Sequence, residues 1–184
     1  MIIQAYDEFL TADECQSLID FYQDNKHQSF ELGKGKEGRF PRWPLVITET
    51  AASAHELRYK LNQKALNAND SVIDYIQIVR WPKGSKQNPH YDVADHHTDL
   101  ASIIYLNDNF IGGETYFTDG IIFTPRQGRL ILFDGQYYEH GVHEVQTHER
   151  YVVAAWYKKE AKRFERRIWK ERRRKIQHME RMSQ

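Results

Sequence analysis

Between residues 71 and 157 the chain breaks into a succession of short β-rich segments joined by turn-forming links, and that succession most constrains the fold. Val72, Ile73, Tyr75, Ile76, Ile78 and Val79 make one apolar run, which Trp81-Pro82-Lys83-Gly84 ends. Residues 101–106, 114–117, 121–124, 129–133 and 150–157 are further strand candidates. Their links, Gly112-Gly113, Asp119-Gly120, Pro125-Arg126-Gln127-Gly128 and Asp134-Gly135, carry the residues that turns require. Many short strands following helices predict a β-sandwich or barrel with a helical flank.

The first third reads as helical support around a short strand. Thr11 and Glu14 form a capping box, and Cys15, Leu18, Ile19 and Tyr22 follow at helical spacing, predicting a helix from about Ala12 to Asp24. Ser53 and Glu56 repeat the device ahead of Leu57, Leu61 and Ala65. Between the two helices, Gly33-Lys34-Gly35-Lys36-Glu37-Gly38-Arg39 suggests a phosphate loop, but Arg39-Phe40 stands where Lys-Ser/Thr is required. A basic surface loop is the better reading, and a lid over the site is the second.

A chain of 184 residues with 40% hydrophobic and 13% aromatic residues suits one domain with one core. The division is a domain over 1–157, helical to residue 70 and β-rich over 71–157, followed by a basic segment over 158–184. That segment holds twelve Lys or Arg against four Asp or Glu, leaving 14 against 22 for an acidic body. Cys15 is the single cysteine, so no intrachain disulfide is possible, and its place on the helix suits a small buried hydrophobe. The start, Met1-Ile2-Ile3-Gln4-Ala5-Tyr6-Asp7, lacks the form of a signal peptide, and no run approaches the roughly 18 apolar residues of a membrane span. The expectation is a soluble, cytoplasmic protein with no membrane partner.

Chemistry concentrates in the β-rich half. His90-Tyr91-Asp92 closes the apolar strand, and His140 and Arg150 follow on later strand-like segments. Two imidazoles and a carboxylate brought from separate strands form a facial triad, which holds Fe(II) and leaves positions open for a chelating ligand and oxygen. An oxygenase is the reading.

The ordered set resembles the double-stranded β-helix, or jelly-roll, core of the Fe(II)/2-oxoglutarate-dependent dioxygenases, in their prolyl 4-hydroxylase-like branch. The residues that carry the resemblance are His90-Tyr91-Asp92, Tyr105-Leu106-Asn107, Gly112-Gly113-Glu114-Thr115, His140-Gly141-Val142 and Arg150-Tyr151. It covers most of residues 71–157, and Glu8-Phe9-Leu10 with Asp13-Glu14-Cys15 also resembles the family's entry. The implied fold is α+β, mainly β, with N-terminal flanking helices and a basic C-terminal helix. The resemblance implies His90, Asp92 and His140 as iron ligands, with 2-oxoglutarate as co-substrate and O2 as oxidant; ascorbate is an optional addition. Arg150 would pair the far carboxylate of 2-oxoglutarate in a planar fork, and Tyr105 is the position for a phenol hydrogen bond to it. Oxidative decarboxylation to succinate and carbon dioxide would then drive hydroxylation of a substrate C–H bond. Retention of Asp92 argues against halogenation, in which a small residue replaces the carboxylate. Trp81 departs from the pattern, since prolyl hydroxylases commonly carry a tyrosine before this proline.

Rival residues have to be weighed. His97-Thr98-Asp99 is a second HxD, but only eight positions separate His97 from Tyr105, and His96 and His97 read as loop residues near the site mouth. His143 competes with His140 for the distal position. It leaves seven positions to Arg150, whereas His140 leaves ten, and alternation places 140 and 143 on opposite faces of a regular strand. Alone, Arg150 would be a solvated strand-end arginine and Tyr105 a core aromatic. Gly112-Gly113 reads as a hairpin turn without chemistry.

In the basic segment, Ala161, Phe164, Ile168, Ile176 and Met179 fall near one helical face among arginines. An amphipathic helix docked on the acidic body is the first reading, and a nucleic-acid or acidic-partner contact the second. The leading function is hydroxylation of a peptide or protein side chain, proline first. The alternatives are an AlkB-like nucleic-acid demethylase and a non-catalytic binding module using the basic segment. Oligomeric state is left open.

Overall fold

The computed structural model describes residues 1–32, 41–47, 54–92 and 98–159. The loop over 33–40, His96, His97 and all of the basic segment beyond Lys159 lie outside them. Among the described residues, ten strands form two antiparallel sheets. The larger is ordered β1 (Ile3–Tyr6), β8 (Leu130–Phe133), β5 (Leu100–Tyr105), β10 (Arg150–Lys159), β3 (Ser71–Trp81), β2 (Trp43–Val46). The smaller is ordered β4 (Gln87–His90), β9 (His140–Val142), β6 (Thr115–Phe117), β7 (Ile122–Phe123). The fold is the mainly β jelly roll expected from the sequence, with two helices, α1 (Ala12–Asn25) and α2 (His55–Asn69).

Strand alternation divides the core into two layers. Ile76 and Ile78 of β3, Leu130 and Leu132 of β8, and Tyr151, Val153 and Tyr157 of β10 face the helices. They pack on Cys15, Leu18 and Tyr22 of α1 and Leu57, Leu61 and Ala65 of α2. The intervening residues, Val79, Trp81, Ala101, Tyr105, Ile131, Phe133 and Val152, face the smaller sheet and meet Phe117 and Val142. Every inner position on β10 is even-numbered up to Trp156, so Arg150 points between the sheets with Val152.

The first helix starts as its sequence predicts. Thr11 Oγ1 accepts from the Glu14 backbone, and the Glu14 carboxylate accepts from the Thr11 backbone. The second differs: Ser53 lies outside the described residues, and α2 is capped at Ala54 without a side-chain hydrogen bond. Two further expectations are corrected. The first third carries two strands, β1 and β2, both at edges of the larger sheet. His90 does not close the long apolar strand: β3 ends at Trp81, the chain turns at Pro82, Lys83 and Gly84, and His90 ends β4 in the other sheet. Gly84 takes φ +84° in this turn, and the Ser85 amide donates to the Pro82 carbonyl. Since β4 is an edge strand, Pro89 within it breaks no interior ladder.

Candidate active site

His90 and His140 are cross-strand partners at the start of the β4–β9 pair, and their ring centroids are 4.4 Å apart. Asp92 follows β4 and is fixed by its own backbone amide, which donates to the Gly135 carbonyl at 2.8 Å. Its carboxylate lies 3.6 Å from His90 Nε2 and 3.7 Å from His140 Nε2. One ligand atom from each of the three lies within 4.8 Å of the others, a spacing that one metal ion can bridge.

The hydrogen bonds around the triad prepare it for a cation. His90 Nδ1 lies 3.2 Å from the Asn88 carbonyl and His140 Nδ1 lies 3.2 Å from the Tyr138 carbonyl. Donation from each Nδ1–H assigns the tautomer that leaves Nε2 with its lone pair toward Asp92. The Gln87 amide lies against the His90 ring, its Nε2 3.0 Å from His90 Nε2 and 3.2 Å from His90 Nδ1. Burial pushes the His140 imidazole down against the pull of Asp92, so it is neutral near neutrality. Burial also pushes the Asp92 carboxyl up. The polar surroundings that His90, His140 and Trp156 give the carboxylate outweigh it, and the group sits below the ordinary carboxylate range. A neutral imidazole and an ionised carboxylate are the protonation states that metal binding needs. The His140 ring is held by Phe133, with centroids 4.6 Å apart, and by Phe117.

A cavity of about 180 Å³ opens on the triad, walled by Val79, Trp81, Val142, Val152 and Trp156, with Arg150 among its lining residues. Arg150 is 1% exposed, yet among the described residues no carboxylate forms an ion pair with it. Nη2 donates to Thr115 Oγ1 at 3.4 Å, and Nε is buried with no partner. Burial pushes this guanidinium down from its ordinary value, with Tyr105 pulling the other way. A buried cation short of partners at the wall of a small cavity fits an anionic ligand, and the carboxylate of a 2-oxo acid dicarboxylate matches its planar donors.

The structure thus brings His90, Asp92, His140 and Arg150 around one cavity, but Tyr105 stands behind it. The Tyr105 hydroxyl lies 2.9 Å from Thr115 Oγ1, accepts from the Thr115 amide at 2.9 Å and is 3.3 Å from the Phe123 carbonyl. Its ring lies against the Arg150 guanidinium, 5.2 Å from centroid to Cζ. In this structure the phenol bonds to the protein, and Thr115 links Tyr105 to Arg150. His143 is on the other face, as alternation requires. Its side chain is 45% exposed, lies 3.2 Å from a Glu114 carboxylate oxygen and stacks on Tyr116. Of the second HxD, Asp99 is described: its carboxylate accepts from the Lys159 amide, apart from the triad.

Two contributions escaped the sequence reading. Thr115 carried a signal, since it ends Gly112-Gly113-Glu114-Thr115, but no role followed from the motif. Gly113 was read as turn chemistry alone. It takes φ +66°, and a Cβ there would lie 3.0 Å from Arg150 Cδ and 2.9 Å from Phe110 Cε2, so its missing side chain gives the arginine stem its path.

The profile of the 2OG-Fe(II) oxygenase superfamily matches residues 76–158, which run from within β3 into β10 and contain His90, Asp92, His140 and Arg150. Prolyl 3-hydroxylase 2 of Rattus norvegicus is 29% identical over 119 residues, covering 61% of this chain and 16% of that protein. The chain therefore spans about a sixth of that relative. Among solved structures, a Pseudomonas putida prolyl-4-hydroxylase superposes with a TM-score of 0.71 at 18% identity, covering 86% of this chain and 92% of that one. A Trichoplax adhaerens prolyl hydroxylase, in complex with a peptide fragment of the hypoxia inducible factor oxygen degradation domain, superposes with a TM-score of 0.69 at 18% identity, covering 88% and 85%. These structures share the fold of this chain.

Proposed function

We propose that the chain is a member of the 2OG-Fe(II) oxygenase superfamily, whose profile matches residues 76–158, and that it uses Fe(II), 2-oxoglutarate and O2 to hydroxylate a peptide or protein side chain, with proline the first to test. The observation that carries the proposal is Arg150, a buried cation with no carboxylate partner among the described residues, lining the cavity that opens on His90, Asp92 and His140. The peptide class follows from the prolyl hydroxylases that the chain resembles, one of them holding a peptide.

In this reading His90, Asp92 and His140 hold the metal and Arg150 takes the far carboxylate of the co-substrate. Bound Fe(II) would supply the oxygen chemistry, coupling decarboxylation of the 2-oxo acid to hydroxylation of a C–H bond. The residues of the chain prepare the site for it. Asp92 offers its carboxylate and His140 its neutral imidazole without first losing a proton. Asn88 and Tyr138 hold the two rings through their carbonyls, so both Nε2 lone pairs stay aimed at one point. Val79, Val142 and Val152 supply apolar stretches of the cavity wall, which strengthen the charged contacts beside them.

The test is to add Fe(II) and 2-oxoglutarate anaerobically and record the visible metal-to-ligand charge-transfer band, then screen proline-containing peptides by mass for the gain of one oxygen. A band lost in His140→Ala, kept in His143→Ala and requiring more 2-oxoglutarate in Arg150→Ala supports the assignment. Iron that binds without any band removes 2-oxoglutarate from it.

A further inference from the structure

Arg150 poses a physical problem that its hydrogen bonds do not solve. Among the described residues its bond from Nη2 to Thr115 is 3.4 Å long and Nε has no partner, and beyond these it has only the neighbouring Tyr105, so these contacts leave the guanidinium plane poorly fixed. What does face it is aromatic: Cζ lies 5.2 Å from the centroid of Trp81 and 5.2 Å from that of Tyr105. Trp81 is the last residue of β3 and Arg150 the first of β10, and the two are direct cross-strand partners. Their Cβ atoms are therefore held at pairing distance, with both side chains on the inner face. On the strength of the co-substrate reading above, we propose that Trp81 is a positioning residue whose indole face holds the Arg150 guanidinium in register for the far carboxylate of 2-oxoglutarate.

The other properties of Trp81 support a role for the ring face rather than the ring nitrogen. Nε1 is buried and has no hydrogen-bond partner. An unmade buried N–H bond is unfavourable, and phenylalanine would avoid it, so hydrogen bonding does not account for a tryptophan here. Indole is, however, the side chain with the strongest attraction for a cation over its face. The Arg42 guanidinium also lies 5.2 Å from the Trp81 centroid, a second cation against the same ring. Arg42 is anchored in turn by two backbone hydrogen bonds with Leu32. The position where the family pattern commonly shows a tyrosine thus serves here as a stacking surface.

The test compares Trp81→Phe and Trp81→Leu with the wild type, each loaded with Mn(II) so that no turnover occurs. Calorimetry would measure binding of 2-oxoglutarate and of 2-oxobutyrate, which keeps the chelating head and lacks the far carboxylate. Trp81→Phe should bind 2-oxoglutarate within a few-fold of wild type, and Trp81→Leu should bind it roughly tenfold or more weakly, the scale of a desolvated cation–π contact. All three proteins should bind 2-oxobutyrate alike, which shows the metal end intact. Trp81→Leu binding 2-oxoglutarate as tightly as wild type overturns the proposal, as does an equal loss of both acids. A wild type that binds the two acids equally overturns the Arg150 reading and the proposal with it.

Discussion

At the scale of single residues, two side chains carry opposite kinds of evidence. His140 is held by Phe133 and Phe117 with Nε2 toward Asp92, whereas His143 stacks on Tyr116 beside Glu114 on the far face. His140→Ala should weaken Mn(II) or Fe(II) binding by more than roughly a hundredfold, beyond the usual cost of losing an outer-shell partner. His143→Ala should leave the metal isotherm unchanged, and the reverse result would transfer the ligand role. Arg150 is instead a group whose burial is unfavourable until a ligand arrives. Replacing a buried ion pair by apolar side chains of similar volume is often neutral or stabilising by about 1–4 kcal/mol, and a buried cation without a carboxylate partner has less to lose. Arg150→Met should therefore raise the Tm of the ligand-free protein, by roughly 2–4 °C for each kcal/mol gained, and abolish the further rise that 2-oxoglutarate gives the metal-loaded wild type. A variant that melts below wild type and still responds to 2-oxoglutarate would show that Arg150 serves packing.

At the scale of elements, the turn between β5 and β6 does more than reverse the chain. Gly113 has a positive φ and leaves room for Arg150 Cδ, whereas Gly84 also has a positive φ but faces open space. Both glycine-to-alanine changes should cost about 1–2 kcal/mol from the backbone alone. Only Gly113→Ala should also weaken 2-oxoglutarate binding, because its new Cβ displaces the arginine. Equal binding by the two variants would sink the packing argument. The same turn shows what was legible in the sequence. Residues 71–81, 100–105, 130–133 and 150–159 could be read because strands buried on both faces carry near-continuous apolar runs. Gln87-Asn88-Pro89-His90 could not, because an edge strand with one inward residue of interest has no apolar period and tolerates proline. His90, Asp92, His140 and Arg150 were visible through their order along the chain. The contacts of Tyr105, Thr115 and Trp81 depend on which strands are neighbours, and that information is absent from spacing.

At the scale of the whole molecule, the two sheets differ in how firmly they are held, and the triad sits on the weaker one. β10 pairs along its length with β3 and β5, and both helices cover the outer face of that sheet. In contrast, β4 pairs with β9 only at Gln87–Val142 and His90–His140, with a register irregularity between them. A metal bound by His90, Asp92 and His140 would tie β4, the segment after it and β9 into one unit, adding links where the ladder is sparse. Binding of a ligand to the native state alone stabilises it by about 2.7 kcal/mol at a hundredfold excess over Kd. Local openings that break the site must pay this, and openings elsewhere need not. Hydrogen exchange should therefore slow on adding Mn(II) and 2-oxoglutarate at Gln87, His90, Asp92 and Val142, by up to roughly a hundredfold under that excess. Amides in the centre of β3 and β10, such as Ile78 and Val153, should change only if they already exchange by global unfolding. The measurement is exchange mass spectrometry on the intact chain with and without the two ligands. Uniform slowing across both sheets would mean that the molecule opens as one cooperative unit, and no slowing around His90 and His140 would remove the metal from this end of the fold.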